Sequence, residues 1–181
     1  MTYEEAELSG KMLASIHRRL DRIEAERAIA HTMYRYIDAC DHSKDASRIS
    51  SFFTEDAVWE GRGHFSEFGS TIGREAIRQM FVENPKILPF TAHFLANPVI
   101  GLSQDGDRGW GEWHVLEACT LKDDAAQVWM AARYDNDFER IGEDWLIRHL
   151  RYTDTFVVPY EDGWLKTRYV SPLTLEKIGR L

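Results

Sequence analysis

The sequence has few of the features that mark a secreted, membrane-spanning or nucleic-acid-binding protein. Its only two cysteines, Cys40 and Cys119, form neither a CxxC metal pair nor a disulfide framework, so both are expected to be buried, reduced thiols. No apolar run approaches the ~20 residues that cross a bilayer, and the N-terminus is acidic rather than basic and apolar. Acidic residues outnumber basic ones by 30 to 22, which argues against a nucleic-acid partner. We therefore predict a cytoplasmic protein with no membrane partner.

Motifs for phosphate binding and for a serine nucleophile are also missing. The chain contains no GxGxxG or GxxxxGKS string and no GxSxG elbow. What it does contain is material for a core, because 44% of its 181 residues are hydrophobic and 12% are aromatic. A chain of this length and composition predicts one folded domain.

The first third of the chain has helical patterns. Residues 4–41 lack proline and carry one apolar stripe at helical spacing, formed by Leu13, Ile16, Leu20 and Ile23. A second stripe, made of Ala30, Tyr34, Ile37 and Asp41, is offset from the first and predicts a break or bend between Ile23 and Ala30. A short helix is predicted over 45–53. A third helix over 73–81 is predicted to be capped by Ser70 or Thr71 and to close before Pro85.

From Thr91 onward, long aromatic and β-branched segments alternate with turn residues. Segments 91–102, 109–122, 126–140 and 144–158 predict an antiparallel meander, and residues 56–64 predict a strand followed by a turn in a hairpin. Helices before such a sheet predict an α+β fold in which the helices cover one face of a strongly bent sheet. The predicted divisions are an N-terminal helical extension over 1–22, a domain over 23–158 and a tail over 159–181 that covers a pocket or an interface.

Two residues are the first candidates for chemistry. Asp41 continues the stripe of Ala30, Tyr34 and Ile37, so its carboxylate points with apolar side chains and needs a partner, unless it is simply a turn residue past the helix end. His93 lies on a predicted strand with Thr91 and Leu95 on its own face. A histidine there is often purely structural, but a carboxylate that accepts from one ring nitrogen would leave the other as a base near neutral pH.

The surrounding residues resemble a known family. The strings Tyr36-Ile-Asp-Ala-Cys-Asp41-His and Phe52-Phe-Thr-Glu-Asp-Ala-Val-Trp59-Glu, followed by Ala92-His93-Phe-Leu and Tyr134-Asp-Asn-Asp-Phe-Glu-Arg, are similar to SnoaL-like domains of the nuclear transport factor 2-like superfamily. The similarity spans residues 26–156. It is closest to the branch of scytalone dehydratase, bile-acid 7α-dehydratase and hexachlorocyclohexane dehydrochlorinase. It implies a cone-shaped roll with helices over a curved sheet.

The resemblance also implies an activity and site residues. These relatives are cofactor-free lyases with an Asp/His dyad, whose positions fall on Asp41 and His93, and a catalytic tyrosine falls on Tyr36. Five residues on an α-helix correspond to roughly 140° of rotation, so Tyr36 and Asp41 share a pocket only if the site wraps the helix end. A second active-site histidine of scytalone dehydratase has no match here, because Cys119 or Thr120 stands at its position. The substrate should therefore differ.

Further side chains are candidates for binding a substrate, with Arg151 also able to pair with an acidic neighbour. These are Tyr34, Trp59, Trp113, His114, Trp129, Tyr134 and Arg151. Large aromatic residues on strands are more often part of the core. Trp113, His114 and Glu117 lie on both faces of one strand, so they cannot all face a cavity.

The favoured function is a cofactor-independent lyase acting on a hydrophobic aromatic or cyclic small molecule. Asp41 would hold His93 as a general base, and Tyr36 would assist the leaving group, in either dehydration or carbon–carbon cleavage such as deformylation. One alternative is a nonhaem metal site built from His93, His114 and either Asp41 or Glu117. Another is a non-catalytic ligand-binding or dimerisation module. The long N-terminal stripe predicts a homo-oligomer, a dimer or a trimer.

Overall fold

The computed structural model describes residues 3–121 and 126–166, with side chains from residue 8 onward. Within these ranges the helices are α1 (Tyr3–Asp38), α2 (Ala46–Ser50), α3 (Arg74–Ile87) and α4 (Gly163–Lys166). The strands are β1 (Phe53–Arg62), β2 (Ser70–Ile72), β3 (Phe90–Leu102), β4 (Arg108–Leu121), β5 (Ala126–Ile141) and β6 (Asp144–Pro159). A π-helical turn (Ala39–Ser43) follows α1, and a 3₁₀ turn (Gly63–Phe68) follows β1.

The six strands form one curled, unclosed sheet in the order β2-β1-β6-β5-β4-β3. Every neighbouring pair is antiparallel except β1 and β6, which run parallel. The last four strands are long and joined by short connections, as the alternation of apolar segments and turn residues predicts. The expected α+β architecture, with N-terminal helices on a strongly curved and mostly antiparallel sheet, is confirmed.

The core lies between the concave face of the sheet and the helices. Strand β4 shows the period-two pattern most clearly, because its residues at 109, 111, 113, 115, 117, 119 and 121 are all buried and those between them are not. Helix α1 is fixed to the sheet by the Thr32 hydroxyl, which donates to the Trp145 carbonyl oxygen at 2.7 Å. Helix α3 is fixed by Arg74, whose Nε donates to the Phe53 carbonyl oxygen at 2.7 Å.

Helix α1 is unbroken where the sequence predicts a break. It continues as one α-helix through Ile23 and Ala30, and the irregular segment comes later, at the π-helical turn Ala39–Ser43. The prediction is wrong because the offset between the two apolar stripes marks a change of surroundings, not of backbone. Leu13 to Ile23 are exposed, whereas Ile29 and Met33 pack in the core.

The other two predicted helices need adjusted boundaries. Helix α2 is shorter than predicted and begins after Asp45, whose carboxylate accepts from the Ser47 backbone N–H at 2.9 Å. Ser70 and Thr71 do not cap α3, because they form strand β2, paired with β1. Helix α3 also continues past Pro85 to Ile87. Proline is tolerated there because only the last turn loses a backbone donor.

The two ends of the chain differ in how far the structure tests their predicted roles. The apolar stripe of α1 is exposed, so self-association through it stays a prediction that sedimentation velocity would test. Of the predicted tail over 159–181, residues 167–181 lie outside the described part, and in α4 the Trp164 ring packs at 5.4 Å from Phe156. Within the part of the chain that the structure describes, no helix is long and apolar enough to span a membrane.

Candidate active site

Asp41 reaches the interior through the π-helical turn at the end of α1. The wider turn has a hydrogen bond from the Lys44 backbone N–H to the Ala39 carbonyl oxygen at 2.9 Å. Each residue in such a turn advances by a smaller angle than in an α-helix, which reduces the angle between Tyr36 and Asp41. The turn ends at Lys44, whose backbone is left-handed with φ of 49°.

The Asp41 carboxylate binds His93 through both of its oxygen atoms. Oδ2 accepts from the His93 backbone N–H at 2.8 Å, and Oδ1 accepts from the ring Nδ1 at 2.6 Å. Both side chains are only 10% exposed. Because Nδ1–H donates to a carboxylate, the ring orientation is fixed and Nε2 is the atom presented to the cavity.

Glu117 lies on the other side of the same imidazole. It is directly opposite His93 in the β3–β4 register, and its Oε2 is 3.2 Å from Nε2. The Glu117 side chain is 5% exposed. His93 therefore lies between two buried carboxylates, one at each ring nitrogen.

The charges of this cluster determine its protonation. Burial lowers the pKa of His93, but the charge of Glu117 and the hydrogen bonds to Asp41 and Glu117 outweigh it and raise the pKa to about 10. For Asp41, burial alone would raise the pKa, and the hydrogen bonds and positive charge of His93 lower it below its ordinary value. At neutral pH the His93 ring is therefore cationic and is bound to the Asp41 carboxylate, with Glu117 at its other nitrogen.

His93 and Glu117 line a cavity of about 310 Å³ under the helices. This volume suits a small organic molecule. Its walls are mainly aromatic and aliphatic side chains from every layer of the fold, including Tyr36, Ile49, Trp59, Phe65, Phe68, Met80, Phe81, Leu88, Leu121, Met130, Tyr134 and Tyr152. Such walls strengthen electrostatic interactions within the cavity because they provide a low dielectric constant.

Three phenols lie around the cluster. Tyr36, Tyr134 and Tyr152 each have a pKa well above 10, in each case first because the ring is buried. The charge of Glu117 raises the pKa further for Tyr134 and Tyr152. Phenols of this kind stay protonated and act as hydrogen-bond donors.

A single lysine stands among the cavity-lining residues of the described chain. The Lys44 ammonium donates to the backbone carbonyl oxygens of Pro89 at 2.5 Å and Leu88 at 3.3 Å. These bonds join the π-helical turn to the connection between α3 and β3.

The structure brings together some of the predicted site residues. The cavity is lined by His93, Tyr36, Trp59 and Tyr134. Asp41 does not line it but accepts a hydrogen bond from Nδ1 of His93. Tyr36 also makes edge-to-face contacts with the rings of the surrounding core, the nearest at 5.5 Å. The π-helical turn therefore allows Tyr36 and Asp41 to contribute to the same pocket.

Five other predicted substrate-binding residues do not line the cavity. Tyr34 is 45% exposed, because the buried stripe of α1 passes through Ile29, Met33 and Tyr36 instead. Trp113 faces inward but packs in the core against Phe138, at 6.0 Å between rings.

Strand alternation explains the other three. His114, Trp129 and Arg151 each adjoin an inward residue and so face the opposite side of the sheet. Arg151 binds Asp137 there at 2.5 Å. Because His114 faces away from His93, the proposed two-histidine metal set is not assembled, and no group of three or more metal-binding side chains occurs among the described residues.

From the sequence, Glu117 is not selected as a site residue: it is weighed as a possible metal ligand and as one of three neighbouring residues that cannot all face a cavity. The signal was present, because Glu117 is the one carboxylate in an inward series that also contains Trp113, Val115, Cys119 and Leu121. A carboxylate in such a series needs a partner inside. His93 is that partner.

Comparisons with known proteins agree on the family and the fold. The sequence profile described as "SnoaL-like domain" matches residues 21–151, more than half of the chain. No curated protein matches the sequence. Among solved structures, a candidate aromatic ring hydroxylase from Novosphingobium aromaticivorans is 25% identical with a TM-score of 0.67, over 77% of this chain and 96% of that one.

Two further solved structures have the same fold at lower identity. A type 2 hexachlorocyclohexane dehydrochlorinase (LinA) is 22% identical with a TM-score of 0.70, over 78% of this chain and 92% of that one. A candidate scytalone dehydratase from Novosphingobium aromaticivorans is 17% identical with a TM-score of 0.65, over 74% and 86%. At these identities the similarity establishes the fold alone.

Proposed function

Because the chain belongs to the SnoaL-like domain family, we propose that it is a cofactor-independent lyase acting on an aromatic or cyclic small molecule. The reaction is an elimination of the dehydratase type or a related carbon–carbon cleavage. Its structural neighbours include proteins described as a dehydrochlorinase and a scytalone dehydratase, both named for eliminations. Their names support the reaction class but not the substrate.

The observation that carries this proposal is the Asp41–His93 pair in the wall of an apolar cavity. Asp41 holds Nδ1 at 2.6 Å, so the only ring nitrogen that can exchange a proton with a bound molecule is Nε2. Burial on both sides keeps this geometry rigid and limits access of bulk water to the reacting atoms. The pair therefore supplies the proton transfer that an elimination needs.

Tyr36 is suited to an accessory role in this reaction. Its raised pKa keeps the phenol protonated at neutral pH. A protonated phenol in the cavity wall can donate a hydrogen bond to a leaving oxygen or to a carbonyl oxygen that gains negative charge. The apolar walls around it favour an aromatic or alicyclic substrate frame over a highly polar one.

The experiment that tests this function is a turnover screen of hydroxylated aromatic and alicyclic compounds with the wild type, Asp41→Asn and His93→Ala. We expect one or more compounds to be converted by the wild type, with turnover at least ~10³-fold lower in both variants. Circular dichroism of each variant checks that it is folded. Full turnover in both variants would show that the pair is not the catalytic group.

A further inference from the structure

Glu117 is a buried carboxylate whose only cationic contact among the described residues is the His93 ring. Its Oε2 is 3.2 Å from Nε2, and its side chain is 5% exposed. A buried carboxylate without a positive partner is strongly unfavourable, so the ring cation and this carboxylate stabilise each other. Glu117 also lines the cavity, so its carboxylate can meet a bound molecule.

The two carboxylates define where the protons on His93 lie. Asp41 accepts from Nδ1, and Glu117 can accept only if Nε2 also carries a proton. A neutral ring would place a lone pair of Nε2 against the negative Glu117 oxygen. The resting ring is therefore an imidazolium, in agreement with its pKa of about 10. A base that already holds its proton cannot take another from a substrate.

We propose that Glu117 is the base that removes the substrate proton and that the His93 imidazolium is the acid that protonates the leaving group. This inference rests on the proposed lyase function and deepens it, because it assigns the two directions of proton transfer to two residues. Asp41 then acts as the positioning residue that keeps the imidazolium oriented. The arrangement is a relay of carboxylate, imidazolium and carboxylate.

The proton transfers balance in a dehydration. The C–H bond breaks as its proton passes to Glu117, and its electron pair forms the carbon–carbon double bond. The adjacent C–O bond breaks while the proton on Nε2 passes to the departing oxygen, which leaves as water. Glu117 is then neutral and His93 is neutral. The proton returns from Glu117 to Nε2 across their 3.2 Å contact, which restores the resting state without an external acid or base.

The proximity of acid and base restricts the substrate. Because Nε2 and Oε2 are neighbours on one cavity wall, hydrogen and leaving group must lie on the same face of adjacent carbon atoms. The substrate class is thus a cyclic compound with a hydroxyl group next to an acidic C–H bond, and the elimination is syn. A substrate deuterated on one face at the reacting carbon would lose deuterium only from the face that carries the hydroxyl group.

The experiment compares the wild type with Glu117→Gln, Glu117→Asp and the control Glu112→Gln. Glu112 lies on the same strand but faces the other side of the sheet, where it binds Arg133 at 2.5 Å. On a compound converted by the wild type, Glu117→Gln should lower kcat at least ~100-fold with KM within about threefold. Glu117→Asp should recover part of the rate, and Glu112→Gln should match the wild type.

A second readout follows the His93 ring by ¹³C and ¹⁵N NMR as a function of pH. The groups facing the ring are Asp41 and Glu117, with the protonated side chains of Tyr36, Cys40 and Tyr134 nearby. Glu117→Gln should lower the pKa of His93 by at least ~1, because it removes one of the two negative charges. Glu112→Gln should leave it unchanged.

The outcomes distinguish a failure of this inference from a failure of the proposed lyase function on which it rests. Lost kcat in Glu117→Gln with a lowered His93 pKa supports the relay, as does stereospecific loss of the syn deuterium. Turnover by Glu117→Gln within threefold of the wild type, while His93→Ala is inactive, would overturn the role of Glu117 and leave the lyase function standing. A wild type that converts nothing in the panel would overturn the lyase function, and the catalytic role of Glu117 with it.

Discussion

Among the described residues, two carboxylate–histidine pairs have the same bonding pattern, from a backbone N–H and from Nδ1, and different surroundings. In the inner pair, Asp41 accepts from the backbone N–H of His93 at 2.8 Å and from its Nδ1 at 2.6 Å. In the outer pair, Asp154 accepts from the backbone N–H of His64 at 2.8 Å and binds its Nδ1 at 2.7 Å. Both carboxylates come from elements distant in sequence and hold a histidine in one orientation.

The two pairs differ in the surroundings of the histidine side chain. The His93 side chain is 10% exposed and meets Glu117 in the cavity, whereas the His64 side chain is 54% exposed. Asp154 also accepts from the Phe65 backbone N–H at 3.3 Å, so it fixes the 3₁₀ turn that carries Phe65 into the cavity wall. The bonding pattern alone therefore does not make an active site. Burial and the cavity distinguish the inner pair.

The largest expected effect is on turnover when the same substitution is made in both pairs. Asp41→Asn should lower kcat on a confirmed substrate about 10³-fold, because it removes the charge that orients the His93 imidazolium. Asp154→Asn should change kcat by less than about threefold at a temperature where it remains folded. Steady-state kinetics with purified proteins measures both.

His64→Gln is the matched control for the outer pair, because it removes the imidazole and leaves Asp154 in place. It should also retain turnover within about threefold. Equal losses in Asp41→Asn and Asp154→Asn, with both proteins folded, would contradict the distinction between the pairs and make the outer one part of the site.

The next effect is the dependence of stability on pH. Folding raises the pKa of His93 from its ordinary value of 6.5 to about 10, so between these values the folded protein binds one more proton than the unfolded chain. The stabilising contribution is fully present below pH 6.5 and is lost as the pH rises to about 10. Near the middle of this range, it should lower the free energy of unfolding by about 1.4 kcal/mol per pH unit.

Urea unfolding at several pH values in this range measures the slope for the wild type and for His93→Gln. The variant should have a slope shallower by about that amount, since it has no titrating ring between the two carboxylates. Identical slopes in the wild type and His93→Gln would mean that the ring is not held as an imidazolium.

The sequence predicts the inner pair better than the outer one for physical reasons. Asp41 and His93 are recognisable because each stands out from an apolar or strand pattern and because both match a family motif. The contact of Asp154 with His64 depends on a backbone irregularity in the β5–β6 pairing near Ala132 and on the left-handed conformation of Gly63. The irregularity leaves no pattern in the residue types, and a glycine marks a turn without showing which side chain its backbone approaches.

The same reasoning explains the partial success with the cavity. Strand alternation is strict on β4 and β5, so it can show that His114 and Trp129 face away from His93, and it identifies Glu117 as an inward acid. The face of helix α1 that packs against the sheet was harder to predict. An apolar stripe through Tyr34 has nearly the same spacing as the true one through Met33, and only packing against the sheet decides between them.

The smallest expected effect tests what holds the outer pair together. Gly63 has a φ of +67°, and a Cβ atom there would lie 2.7 Å from Asp154 Oδ1. Gly63→Ala should therefore lower the free energy of unfolding by about 2 kcal/mol, part from the backbone conformation and part from displacing the carboxylate. In an Asp154→Ala background only the backbone part remains, so the same substitution should cost about 1 kcal/mol.

The difference between these two costs is the coupling energy of Gly63 with Asp154, which a double-mutant cycle in urea gives directly. A value near 1 kcal/mol means that close approach of the glycine backbone to the carboxylate is needed to form the outer pair. Costs that agree within about 0.4 kcal/mol would show that Asp154 moves without loss and that the turn is held by other contacts. Because the inner pair lies elsewhere in the fold, the NMR signals of His93 should remain at their wild-type positions in Gly63→Ala. The outer pair would then be a tether for the cavity wall, with a bonding pattern that resembles the catalytic one only because both carboxylates satisfy a backbone N–H and an imidazole at once.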